Sequence, residues 1–148
     1  MMEKVTRCIN KSNATEIAGH LKECNCQFVP KLSSRINIDQ YANKIFEKAV
    51  RFEAINQGKI IGLVAIYCND EKKSSAYITS VSVKKDYQGM GIGSELLDAG
   101  IKYVKTLEFK SIELEVSSMN IKAINLYEKK NFILHNNNSE LVLMRLEI

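Results

Sequence analysis

Between Asp86 and Leu97 the chain reads DYQGMGIGSELL, with Gly89, Gly91 and Gly93 at every second position. Three side chains are missing within five residues, as expected where something must come close to the backbone. Ahead of the glycines, AYITSVSV has strand character and stops near Val83; behind them, SELLDAGIKYVKTL has helical spacing from near Ser94. The glycines therefore fill a strand-to-helix turn. The first N–H groups of a helix have no partners and carry the positive end of its dipole, so a phosphate can sit there.

Two common phosphate loops are excluded. A dinucleotide fingerprint needs a third glycine three residues after Gly91, where Ser94 stands, and a strand–helix unit near the chain start. A Walker loop needs Gly-Lys-Ser/Thr, which occurs nowhere. What remains is Gln88-x-x-Gly91-x-Gly93 after a strand and at the opening of a helix.

VSVKKDYQGMGIGSELL resembles the Gln/Arg-x-x-Gly-x-Gly/Ala acyl-CoA motif of the GCN5-related N-acetyltransferases, and LEVSSMNIKAINLYEKKNF resembles the segment that follows it there. The specific resemblance runs from about residue 57 to about residue 134. It implies an α/β (α+β) fold, a mixed and mostly antiparallel sheet of about six to seven strands flanked by about four helices. It also implies acetyl-CoA as co-substrate, no metal, and an amine acceptor. The pyrophosphate would lie on the loop Gln88, Gly89, Met90, Gly91, Ile92, Gly93 and Ser94. The backbone of Val81 and Val83 would hold the pantetheine, with Asn120 and Asn125 beside it; Asn120 also stands where a helix N-cap belongs. Lys122 or Lys129 would reach a 3′-phosphate, although solvation is the ordinary role of either.

Transfer of acetyl from a thioester to an amine needs a neutral amine, a stabilised oxyanion and a proton for the leaving thiolate. By the resemblance, Tyr127 is the acid: a phenol with pKa near 10 can protonate a thiolate whose acid is near ~8.5. Glu115 aligns with the base of ribosomal-protein N-terminal acetyltransferases, with Glu113 on the same strand face as the other choice. A solvated strand carboxylate is an equally good account of Glu115. The family usually has Gly before the Phe of the second motif. Here Asn131 precedes Phe132, and Asn also tolerates the left-handed conformation of a helix end.

The elements that must position these residues follow from periodicity. KVTRCI is a first strand; NATEIAGHLKEC is a helix opened by an Asn13/Glu16 capping box; FVPKLSSRIN is a connection; IDQYANKIFEKA is a second helix. AVRFEAI, KIIGLVAIYC and SAYITSVSV form three antiparallel strands separated by NQGK and NDEKKS. SIELEV is a strand, IKAINLYEKK a short helix, and FILHN with ELVLMRLEI a closing hairpin around NNNS. The predicted order is β-α-α-β-β-β-α-β-α-β-β in one domain, residues 1–148.

Composition sets the remaining limits. Apolar residues make up 45%, charged residues 26%, and the net charge is +4 without a basic block, which disfavours nucleic acid and suits a small anionic ligand. No apolar run reaches the roughly 20 residues of a membrane span, and MMEKVTRCIN lacks a secretory apolar stretch, so a cytoplasmic protein with reduced cysteines is expected. His20, Cys24 and Cys26 lack zinc spacing and a fourth ligand, and no metal is expected. None of the four cysteines falls in the two motifs, which favours direct attack over an acyl-enzyme.

The acceptor region is expected between the first helix and the second strand, together with the hairpin around Asn136 to Ser139. Phe28, Leu32, Tyr41 and Phe46 would line an apolar entrance, and Ser33, Ser34 and Arg35 would meet a polar or anionic acceptor, with a core or capping role an equal account of each. An amino sugar, another small amine or a peptide N-terminus all fit. A non-catalytic acyl-CoA sensor is the non-enzymatic alternative. The family often forms a homodimer, but no stripe here identifies an interface.

Overall fold

The computed structural model describes residues 4–138 and 140–148. Its elements are β1 (Thr6–Ile9), α1 (Ala14–Glu23), α2 (Ile38–Lys48), β2 (Ala49–Asn56), β3 (Lys59–Tyr67), β4 (Ser75–Val83), α3 (Ile92–Thr106), β5 (Ser111–Ser117), α4 (Ile121–Lys129), β6 (Ile133–Asn138) and β7 (Leu141–Glu147). This is the order that the periodicity predicts. Short 3-10 turns at Asn25–Gln27, Leu32–Ser34 and Lys85–Tyr87 punctuate the connections.

One seven-stranded sheet runs β1-β2-β3-β4-β5-β7-β6. Every neighbouring pair is antiparallel except β4 and β5, which run parallel. Helices cover both faces. On one, α3 and α4 pack Leu97, Ile101, Val104 and Tyr127 against Phe52, Val64, Ile66, Ile112 and Met144. On the other, α1 and α2 pack Ile17, Leu21, Ala42 and Ile45 against Ile60, Leu63 and Ala65. The run IIGLVAI in β3 feeds both layers, which explains why it is apolar almost without interruption.

Close approach of α3 to β3 depends on two small residues. A Cβ on Gly100 would stand 2.7 Å from Ile66 Cδ1, and one on Gly62 2.9 Å from Ile92 Cγ2. The loop before α1 is pinned by fully buried Glu53, which accepts from Lys11 N at 2.9 Å and Ser12 N at 3.2 Å and faces Arg51 Nε at 3.4 Å. A buried ion pair of this kind is tolerated because the backbone satisfies its remaining valences.

Two boundaries differ from the sequence reading. The helix after the glycines starts at Ile92, with Gly91 as its N-cap, two residues before Ser94. In the closing hairpin, Asn136, Asn137 and Asn138 belong to β6, opposite Leu143, Val142 and Leu141 of β7. Pairing with a strand already fixed against β5 outweighs the weak strand preference of Asn. Ser139, included in the expected acceptor hairpin, lies outside the described residues.

Candidate active site

The chain crosses from β4 to α3 through Lys85–Tyr87 and the glycines. Gly89 and Gly91 have φ of +81° and +78°, and a Cβ on either would meet nothing within 4 Å. These two glycines answer a conformational demand. Gly93 is helical, and a Cβ there would stand 3.4 Å from Val83 Cγ2.

The other three helices are capped by asparagines: Asn13, Asn37 and Asn120 each accept a first-turn N–H. No side chain caps α3. Its first helical hydrogen bond runs from Glu95 N to Gly91 O at 2.9 Å, so the N–H groups of Ile92, Gly93 and Ser94 precede the ladder. These donors, at the positive end of the longest helix, border a groove of about 600 Å³.

Gln88, Gly89, Gly91, Ile92, Gly93 and Ser94 line that groove, joined by Val81, Val83, Asn120, Asn125 and Tyr127. Met90, in the middle of the loop, is not in the lining and is exposed. Lys122 and Lys129 are at the wall, and Gln27 with Phe28 closes it from the segment after α1. Gln88 bridges the mouth: its amide donates to Gln27 Oε1 and to Val83 O (3.1 Å), and accepts from Lys122 Nζ at 3.5 Å.

At its far end the groove meets a gap in the sheet. β4 and β5 pair only at Ser75–Ser111, Ala76–Ile112 and Tyr77–Glu113, then separate. Lys84 N donates to Ile61 O at 2.9 Å, which fixes the parity of the β3–β4 ladder. Because alternate residues of a strand turn their N–H and C=O to the same neighbour, Ser82 faces β3 while Val81 and Val83 present their backbone groups to the gap. Thr79 is the extra residue of a bulge between Ile78 and Ser80. Tyr41 of α2 reaches it, donating to Thr79 O at 2.6 Å with Thr79 Oγ1 2.7 Å away.

Tyr127 and Glu115 lie on opposite faces of the sheet. Tyr127 is buried with the α3 side of the core, edge-on to Phe132 at 6.0 Å between ring centroids. Burial pushes its phenol up to about 12, so at neutral pH it is protonated and able to donate. Glu115 alternates with core residues Leu114 and Val116, which turns it to the α1–α2 face, where it is exposed and accepts from Tyr77 at 3.1 Å. Burial, and then the charge of Glu115, raise the phenol of Tyr77. Glu113 shares that face but is held by Arg145, through Nε at 2.8 Å and Nη2. Asn131 has φ of +73°, the left-handed end of α4 for which Gly is the usual residue.

Parts of the expected acceptor entrance lie elsewhere. Leu32 is buried in the core beneath α1 and α2. Phe46 stacks under Arg51, 5.3 Å from the ring centroid. Ser33 is engaged by Asn25, and Ser34 by Lys31 O. The sequence reading missed Tyr77 and Thr79, whose partners are distant in the chain and which no local motif marks; Gln27 falls in the expected acceptor region but lines the groove instead.

His20 is a buried core residue. A carbonyl only accepts, so Nδ1 carries the proton donated to Ile60 O at 3.2 Å, and Nε2 accepts from Ser82 Oγ at 2.9 Å. Burial lowers its pKa to about 4. Among the described residues no group of three or more His, Cys, Asp and Glu side chains could hold a metal, and no helix is long and apolar enough to cross a membrane.

Known proteins share this architecture. PH1933 from Pyrococcus horikoshii OT3 superposes with a TM-score of 0.78 at 23% identity, over 98% of this chain and 99% of that one. A putative streptothricin acetyltransferase from Bacillus anthracis, solved in complex with acetyl coenzyme A, gives 0.59 at 22% identity over 68% and 64%. The uncharacterized N-acetyltransferase MJ1207 of Methanocaldococcus jannaschii is 37% identical over 79 residues, 51% of this chain and 35% of that protein. The match thus spans about a third of that relative's length. Residues 16–132, most of the sheet and all of the groove's glycine loop, match the profile of the acetyltransferase (GNAT) family, and the chain belongs to it.

Proposed function

We propose that the protein is an acetyl-CoA-dependent N-acetyltransferase acting on a primary amine by direct attack in a ternary complex. One observation carries this reading: the groove that begins at the uncapped N-terminus of α3 ends at the gap between β4 and β5, with a buried phenol on one face and an exposed carboxylate on the other. The pyrophosphate takes the free N–H groups of Ile92, Gly93 and Ser94 and the loop Gln88 to Gly91, Met90 contributing backbone alone. The pantetheine lies along Val81 and Val83 as a substitute strand, with Asn120 and Asn125 beside it. Lys122 and Lys129 stand where further phosphate charge is met.

The amine enters from the α1–α2 face. Glu115 takes its proton, directly or through water; Glu113 is committed to Arg145. The amine nitrogen bonds to the acetyl carbon, the C–S bond breaks, and Tyr127 gives its proton to the departing thiolate. An acyl-enzyme on cysteine is disfavoured because no cysteine lines the groove, and burial raises Cys24 and Cys68 to about 11. A small amine, with an amino sugar as the first choice, is the proposed acceptor.

The test has two stages. Acetyl-CoA should raise the melting temperature, and thiol release should require an added amine. Absence of a thermal shift at millimolar acetyl-CoA removes the binding reading, and a shift without amine-dependent release leaves a sensor.

A further inference from the structure

Two side chains from outside the strand occupy carbonyls on the edge of β4 that faces the gap. The bond from Lys84 N to Ile61 O sets the parity of the ladder, and the register continues without a shift through Ser82 opposite Leu63 to Ser80 opposite Ala65. The N–H of Ser80 therefore points to β3. In a trans peptide the carbonyl opposes the N–H that follows it, which turns Thr79 O toward the gap. Tyr41 fills that carbonyl from α2 with a hydrogen bond of 2.6 Å, and Thr79 Oγ1, 2.7 Å from the same phenol oxygen, is left to donate back. At the other end of the edge, Gln88 Nε2 donates to Val83 O at 3.1 Å. Between the two contacts lie the N–H and C=O of Val81 and the N–H of Val83.

The two contacts differ in firmness. Gln88 makes its bond from an exposed loop, whereas Tyr41 is half-buried, packed against the α1–α2 core, and engaged as donor and acceptor by one residue. The groove respects the same limit: its β4 lining is Val81, Ser82 and Val83, which stops short of the bulge. With the pyrophosphate at the N-terminus of α3 and the pantetheine along Val83 and Val81, the acyl end of the thioester points at Thr79 and Tyr41. Two strand residues separate Val81 from Thr79, about 7 Å at roughly 3.3 Å per residue. A two-carbon acyl group fits within that length, and a six-carbon chain overruns it.

We infer that Tyr41 is the stop at the acyl end of the groove, so that the protein selects acetyl over longer acyl groups. The inference rests on the acetyl-CoA reading above. A longer chain must displace a phenol held by core packing and by two hydrogen bonds, and forcing extra methylenes against packed atoms is costly.

The test is calorimetry of coenzyme A, acetyl-CoA and hexanoyl-CoA with the wild type, Tyr41→Ala and Tyr41→Leu, and it requires no acceptor. The wild type should bind acetyl-CoA about tenfold or more tighter than hexanoyl-CoA. Tyr41→Ala should tighten hexanoyl-CoA about tenfold and leave coenzyme A and acetyl-CoA within about threefold. Tyr41→Leu should act in the same direction, and it carries the test if Tyr41→Ala has no cooperative melting transition. Equal binding of the two acyl-CoAs by the wild type, a preference for acetyl-CoA that the variants keep, or a parallel loss of all three ligands in the variants overturns the inference and leaves the cofactor site standing. A wild type that binds not even coenzyme A removes the acetyl-CoA reading, and the inference with it.

Discussion

Tyr77 donates its hydroxyl to Glu115 Oε1 at 3.1 Å, tying β4 to β5 just past Tyr77–Glu113, the last pair of their shared ladder. The bond holds the carboxylate at the edge of the gap, where the proposed reaction brings the amine. Glu115→Gln should lower kcat by about 10²–10⁴-fold, the usual contribution of a general base. Tyr77→Phe, which removes only the donor, should cost about tenfold. Acetyl-CoA affinity measured by calorimetry should be unchanged in both; a parallel loss of affinity would mean that the pair only shapes the sheet.

Tyr127→Phe should separate binding from chemistry. The ring keeps its packing on Phe132, so acetyl-CoA affinity and melting temperature should hold while kcat falls about 10²-fold. Burial raises the phenol to about 12, so kcat of the wild type should show no alkaline decline well below that value. A decline near the ordinary phenol range would assign the acid to another group.

The glycine loop predicts a contrast between two Gly→Ala changes. At Gly91 there is open space but φ is +78°, so alanine should cost about 1–2 kcal/mol of local strain and weaken acetyl-CoA about tenfold as the α3 donors shift. At Gly19, inside α1 and equally uncrowded, alanine should leave binding alone and stabilise the fold by up to about 1 kcal/mol. Equal binding by both variants would deny the loop its role.

His20 gives a pH dependence with a definite sign. Burial lowers its pKa from 6.5 to about 4, so the unfolded chain takes up a proton as pH drops through 6.5 while the folded chain resists until about 4. Stability present above 6.5 is therefore lost as pH falls through that window, by about 3 kcal/mol. Urea unfolding across this range should show the slope in the wild type and lose it in His20→Gln.

Ser82 lines the groove and donates to His20, the pairing that an acyl-serine route would need. Its hydroxyl, however, points to the buried histidine on the α1–α2 side, whereas Val81 and Val83 face the α3 side of the core. Mixing enzyme with acetyl-CoA should give no burst of thiol before amine is added, and Ser82→Ala should keep turnover within about threefold. A burst equal to the enzyme concentration would replace direct attack with a covalent intermediate.

The sequence made the elements legible because each carries its own period, and it made the glycine loop legible because strand, turn and helix are contiguous. Asn120 and Asn131 could likewise be placed, since capping is a local property. The relation of Tyr77 to Glu115 was hidden: it crosses 38 positions and depends on where one parallel pairing stops. The bulge at Thr79 was hidden too, because a single unpaired residue reverses which side chains face α1 and α2 without disturbing the apolar alternation around it. For Leu32 and Phe46 the sequence leaves entrance and core open; Leu32 takes the core position and Phe46 meets a guanidinium.

With only three residue pairs joining β4 to β5, the sheet is two leaves on a short spine, and the missing rungs are left for whatever lies between them. An occupant that supplies those rungs becomes a structural member as well as a passenger. Its arrival should slow amide exchange on both leaves at once, far beyond the atoms it touches, and its departure should return the protein to its loosest state at the moment a new molecule must enter.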